Sequence, residues 1–146
     1  MNIDNLLSKV LVRILNDKGV TGEADLKDIL GELKGSKGAK KPDTATNPYF
    51  TVHNTPANIQ ADTTAENGTI IINCFVDNYP NGMAKTDVIG QVGERLKALF
   101  HDKPLQIDGI TNYNLVVRSV SGALFDPGDS DEHYCSVRLK YNIIGR

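Results

Sequence analysis

The sequence predicts an α+β fold, a mostly antiparallel β-sheet packed against a long α-helix, with an N-terminal helix before it. Three observations predict it. Residues 3–14 carry apolar side chains at spacings of three and four, which is helical periodicity. Residues 133–144 alternate apolar and polar side chains with a clean period of two, as a half-buried antiparallel strand does. A second helical stripe at 83–101 has β-rich segments on both sides, so strands cluster instead of alternating with helices.

Taken in order, the first helix presents Ile3, Leu6, Leu7, Val10, Leu11 and Ile14 on one face, with Asn2 as N-cap and Gly19 past its end. A shorter helix follows, with Leu26, Ile29, Leu30 and Leu33 on one face and Thr21 as its cap. Glu23 and Asp25 fall in its first turn, where their charge suits the helix dipole. Gly31 weakens this helix by about 1 kcal/mol relative to alanine. Residues 34–46 (KGSKGAKKPDTAT) hold four lysines, two glycines and a proline, with no large apolar side chain, and read as a flexible loop.

After Pro48 the texture is β. Strands are expected at 49–53, near 57–61, and at 69–77, where Ile70, Ile72, Cys74 and Val76 share a face. Asn67-Gly68 is a hairpin signal, and Tyr79-Pro80-Asn81-Gly82 is a turn. In the long helix Val88, Val92, Leu96 and Leu99 form the apolar stripe, widened by Ile89 and Phe100. Gly90 and Gly93 either let this helix approach the sheet closely or are simply tolerated. Short strands at 105–107 and 112–120 follow, the latter with Tyr113, Leu115 and Val117 on one face. The last strand puts Cys135, Val137, Leu139, Tyr141 and Ile143 inward. The chain thus reads as one domain, 1–146, with a helical part (1–33), a flexible loop (34–46) and a sheet with a long helix (47–146).

Composition narrows the function classes. At 146 residues and 40% hydrophobic, the chain can bury a sizeable core. Sixteen basic against 18 acidic residues give a net charge of −2, which argues against a generic nucleic-acid binder. Aliphatic runs stop at three residues, far short of the roughly 20 a membrane helix needs. Met1-Asn2-Ile3-Asp4 lacks the basic and apolar regions of a secretory signal. Two cysteines without a CxxC spacing fit a reducing compartment.

The chemistry-bearing residues form no catalytic, cofactor-binding or metal-binding constellation. Gly-x-Ser-x-Gly, Walker, HExxH and GxGxxG patterns are all absent. His53, His101 and His133 stand alone in sequence. Pairing Cys74 or Cys135 with His53 or His133 gives an enzyme reading, but a cysteine on an apolar strand face is first of all a small core residue. Residues 126–132 place Asp126, Asp129, Asp131 and Glu132 together without the EF-hand spacing, so a solvated loop is expected rather than a calcium site. Carboxylates there would repel DNA. Leu124 and Phe125, just before them, are either tucked under the loop or exposed as a protein anchor. Lys37, Lys40 and Lys41 invite a nucleic-acid arm, but no aromatic side chain is interleaved for base stacking. Arg95, Lys97, Arg138 and Lys140 read as solvated charge. The balance favours an interaction protein over an enzyme.

The order of segments resembles a known family. An N-terminal helix and a variable loop precede Asn47-Pro48-Tyr49-Phe50-Thr51-Val52, then the strand Thr69-Ile-Ile-Ile-Asn-Cys-Phe-Val76, the helix Val88-Ile-Gly-Gln-Val-Gly-Glu-Arg-Leu-Lys-Ala-Leu-Phe100, and finally Glu132-His-Tyr-Cys-Ser-Val-Arg-Leu-Lys-Tyr141. This resembles the tail terminator (tail completion) proteins of long-tailed bacteriophages over residues 47–144. The resemblance implies an α+β domain, without cofactor, that assembles as a homo-hexamer. The ring caps the tail tube protein, stops its polymerisation and faces the head–tail connector in the virion neck, after assembly in the host bacterial cytoplasm. DNA passes through without specific binding, and no membrane is involved. The family offers no catalytic residues to carry over. Interaction residues are therefore expected in the two long irregular segments, at Lys37, Lys40, Lys41, Leu124, Phe125, Asp126, Asp129, Asp131 and Glu132. A stopper (head completion) protein of the same neck is the alternative.

Overall fold

Helical periodicity near the start closes into α1 (Ile3–Leu15), whose Leu6, Leu7, Val10 and Ile14 are buried. The computed structural model describes residues 3–18, 24–55, 67–106, 112–125 and 131–144. The expected caps Asn2 and Thr21 and the expected strand near 57–61 lie outside those residues. α2 (Leu26–Leu30) is capped by Asp25, which stands one position before the first turn where the sequence placed it. Its carboxylate accepts from the Asp28 N–H while the Asp28 side chain accepts from the Asp25 N–H, a reciprocal capping box. Gly31 does not weaken the helix from within. It ends it, with φ +84° and its N–H donating to the Lys27 carbonyl, so Leu33 lies beyond the helix.

The segment expected to be a flexible loop contains a strand. β1 (Gly35–Lys37) runs parallel to the start of β2 (Tyr49–Asn54), with Gly35, Ser36 and Lys37 opposite Phe50, Thr51 and Val52. Nothing in Gly-Ser-Lys favours a strand. Pairing makes it one, and glycine permits the approach, because a Cβ on Gly35 would lie 2.6 Å from the Phe50 carbonyl oxygen. β3 (Asn67–Asp77) pairs antiparallel with β2 and buries Ile70, Ile72, Cys74 and Val76 on the expected face. Asn67 and Gly68 are not a turn but the first residues of this strand. Gly68 faces Tyr141, whose phenol oxygen would meet a Cβ at 2.6 Å.

The long helix, α3 (Thr86–Phe100), starts three residues later than the sequence suggested. Its inward face is also rotated. Ile89, Val92, Gly93, Leu96 and Phe100 are buried, while Val88 and Leu99 sit at the margin. The two glycines divide the two readings offered for them. A Cβ on Gly93 would fall 2.6 Å from Val120 Cγ1 and 3.5 Å from Cys135 Sγ, so this glycine lets the helix lie close on the sheet; a Cβ on Gly90 would meet nothing within 4 Å. Gly90→Ala is therefore expected to stabilise the fold by about 1 kcal/mol. Gly93→Ala is expected to destabilise it by about 1–3 kcal/mol through overpacking. Urea midpoints moving in opposite directions check both; equal shifts would reject the assignment.

β4 (Lys103–Gln106) and β5 (Asn112–Val120) form an antiparallel pair, and β6 (Leu124–Phe125) and β7 (Glu132–Ile144) complete the sheet. The strand order is β1-β2-β3-β7-β5-β4, with β6 beside β7. All pairs are antiparallel except β1–β2. A bulge between Val117 and Ser119 shifts the register of β5 against β7, so Val120, not Ser119, stands opposite Val137. Cys135, Val137, Leu139 and Tyr141 are buried as the alternation requires. α1 packs on β1 and β2, α3 on β3, β4, β5 and β7, and α2 on α3. The chain is thus α+β, and no helix is long and apolar enough to cross a membrane among the described residues.

Candidate functional site

Two segments expected to be irregular and solvated meet at one end of the sheet. Asp77 and Glu132 are cross-strand partners on β3 and β7, so two carboxylates stand side by side. Like charges so placed repel. The 38–48 segment brings the compensation. Lys41 Nζ donates to Glu132 Oε1 at 2.8 Å, Glu132 Oε2 at 2.6 Å and Asn47 Oδ1 at 2.9 Å, using all three ammonium hydrogens. Asn47 Nδ2 donates to Asp77 Oδ1 at 2.8 Å and Glu132 Oε2 at 2.7 Å, so its amide is saturated as well. The Lys41 ammonium also lies 5.0 Å from the Phe75 ring centroid.

This overturns two expectations. Glu132 is not part of a solvated acidic loop; its side chain is 3% exposed. Lys41 is not part of a solvated flexible loop, because it fills the site beside that carboxylate. Lys37 is engaged too, donating to Asp4 and to Ser8 of α1 at 2.8 Å each, and so ties β1 to the first helix. Lys40 and Asp43 are both highly exposed and 3.8 Å apart, a pairing of little energetic weight. Asp131 is exposed. Asp126 and Asp129 lie outside the described residues.

Leu124 and Phe125 are exposed, and the choice between tucked and presented is settled for both. Phe125, 59% exposed, stands edge-on to His133, with ring centroids 5.9 Å apart. His133 donates from Nδ1 to Asn78 Oδ1 at 2.8 Å, Asn78 donates from its backbone N–H to the Asp131 carbonyl at 2.8 Å, and its Nδ2 donates to the Gly82 carbonyl. That chain of bonds ties the 79–83 turn, in which Tyr79 and Met83 are exposed, to the start of β7. Sequence reasoning missed these two; large apolar side chains in a turn of polar residues were the available signal. Four exposed large hydrophobics thus lie on two segments that meet at the start of β7, with Leu124 and Phe125, adjacent on β6, on opposite faces of the strand; exposed apolar side chains of this kind suit docking a protein.

The cysteine–histidine reading finds no support. Cys74 and Cys135 are opposite each other in the β3–β7 register, free and buried. Burial, and then the neighbouring Cys135, push the Cys74 thiol well up; burial pushes Cys135 up to about 11. The nucleophile is the thiolate, so at neutral pH neither thiol is primed. Modification by a thiol reagent is expected to be slow in the folded protein at pH 7 and 9, and fast only in denaturant. Rapid native-state labelling at pH 7 would revive the enzyme reading. His101 is no free imidazole either, because its Nδ1 accepts from the Val117 N–H at 3.1 Å. Thr51 Oγ1, His53 Nδ1 and Asn73 Oδ1 are buried without a hydrogen-bond partner, and burial lowers the His53 pKa. No group of three His, Cys, Asp or Glu side chains able to hold a metal occurs among the described residues.

A second ion pair fixes the helices. Arg95, read from sequence as solvated, grips Asp17 through two bonds, Nε to Oδ2 at 2.8 Å and Nη2 to Oδ1 at 2.7 Å. Asp17 Oδ2 also accepts from the Leu26 N–H at 2.8 Å, so one carboxylate holds α3 and the first residue of α2 together.

The fold recurs among solved structures, of which 15 chains match. One superposes with a TM-score of 0.60, covering 100% of this chain and 98% of that one at 18% sequence identity, a likeness of fold. No protein-family model and no curated protein matches the chain.

Proposed function

We propose that this protein is a virion structural protein of a long-tailed phage, forming a ring that caps the tail tube and joins it to the head connector. Its building block on this reading is the antiparallel sheet backed by α3. The observation that carries the reading is the exposed apolar end formed by Tyr79, Met83, Leu124 and Phe125, which suits contact with a protein neighbour. The resemblance in segment order supports the choice of neighbour, the last ring of the tube or the connector. The polar cluster around Glu132 serves this surface indirectly by fixing the start of β7 beside it. An acidic surface toward passing DNA has less support than the sequence suggested, since Glu132 is neutralised.

Electron microscopy of particles assembled without this protein tests the reading. Full heads beside separate tubes of uncontrolled length are the expected result. Tails of normal length beside heads that leak DNA would make it a neck stopper instead, and normal particles would overturn both. A finer test is Phe125→Ser. The side chain is exposed, so stability is expected to stay within about 0.5 kcal/mol of the parent, while the yield of joined particles falls. Unchanged yield would remove this end from the interface.

A further inference from the structure

Gly90 is the anomaly that leads outward. A mid-helix glycine lowers helix stability, yet nothing inside the protein requires one at this position. It lies in an open groove of about 690 Å³ between α2 and the outer side of α3, lined by Ala24, Ile29, Gly90 and Ala98 and flanked by Asp87 and Glu94. The α3 residues 87, 90, 94 and 98 recur at helical spacing, all exposed. The chain carries a matching surface. Asn5, Lys9 and Val12 on α1, and Asn16 just past its end, also recur at steps of three and four and are all exposed, with Val12 at 50% and Lys9 free of any ion pair among the described residues.

We infer that this groove receives α1 of a second copy of the chain, packed antiparallel on α3 so that Val12 enters over Gly90 and Lys9 meets Glu94. In that register Asn5 lies over Ala98 and Asn16 over Asp87, because steps of three and four residues on one helix match four and three on the other to within about one 1.5 Å rise. Two helices at 8–10 Å need small side chains where they cross, and glycine and alanine supply them. Charge complementarity comes from one pair, Glu94 in the groove and Lys9 on the incoming helix; Arg95 also lines the groove, but its charge is taken up by Asp17. The two faces are different surfaces, so each copy uses one to give and one to receive. Such a contact is heterologous and closes into a ring when the rotation permits. The choice of a second copy as occupant rests on the ring reading above.

Sedimentation equilibrium of the full chain over a wide concentration range tests it, beside the melting temperature of each variant. Concentration-dependent association is expected for the parent. Gly90→Ala is expected to melt higher yet associate about tenfold more weakly, a loss of ~1.4 kcal/mol of contact, and Gly90→Leu to associate less still. Lys9→Glu and Glu94→Lys are each expected to weaken association, and to restore it when combined in one chain. A mixture of Gly90→Leu and Val12→Asp proteins is expected to stop at two copies, since one intact groove meets one intact helix. A parent that associates equally well with Gly90→Leu in place overturns this surface and leaves the ring reading untouched. A parent that stays monomeric throughout overturns the copy-to-copy contact, and the ring reading then stands or falls on particle morphology alone. Monomeric protein whose Gly90→Leu variant folds but fails to complement particles would assign the groove to a different protein.

Discussion

Asp17→Ala is expected to lower the unfolding free energy by about 3–5 kcal/mol, the cost of breaking a buried ion pair from one side. The Asp17 and Arg95 side chains are 2% and 11% exposed, so neither charge can recover its hydration when the partner is removed. The variant removes both bonds that the Arg95 guanidinium makes to this carboxylate and leaves the Leu26 N–H, at the first turn of α2, without its acceptor. An unsatisfied buried donor adds to the loss. Asp17→Asn should lose less, because an amide oxygen can still receive the Leu26 N–H. The measurement is a urea midpoint at constant slope. A midpoint for Asp17→Ala within error of the parent would show that the pair is hydrated in solution.

Lys41→Met is expected to cost about 3 kcal/mol or more, for a related reason with an added repulsion. It leaves Glu132 buried and ionised beside Asp77, with only Asn47 between the two carboxylates. Replacing both partners, Lys41→Met with Glu132→Leu, should recover much of the loss, since an apolar pair often replaces a buried ion pair without penalty. A double variant no more stable than Lys41→Met alone would contradict the account.

What the sequence disclosed about the fold was whatever depended on local period. β7 was legible because over residues 134–142 one face is buried and the other half-exposed or exposed, so every second residue carries the signal. α3 was legible as a helix, but its inward face was misplaced by a fraction of a turn. The stripe was drawn through Val88 and Leu99 because they are large, whereas the true axis runs through Gly93, which packs closely by having no side chain. β1 was hidden because Gly-Ser-Lys acquires its conformation from Phe50–Val52 across the sheet edge. The two decisive ion pairs were hidden for the same reason. Lys41 and Glu132 are 91 positions apart, and Asp17 and Arg95 are 78 apart. A charged residue met in isolation defaults to solvent, and nothing local says that another segment will cover it. Leu124 and Phe125 stood out in advance because large apolar side chains are unexpected among polar ones. Whether they were covered needed β6 against β7 to decide.

The place of β7 sets a schedule for folding during synthesis. It is the last of the described strands in sequence yet lies in the middle of the sheet, between β3 and β5. Until residues 132–144 have left the ribosome, the nascent chain can hold only two partial sheets, β1-β2-β3 and β4-β5, each with an apolar strand edge awaiting the same partner. Such edges recruit other chains, and pairings between distant segments form slowly. The interval before β7 emerges is therefore when this protein is most open to a chaperone, or to aggregation with its own copies on a crowded message.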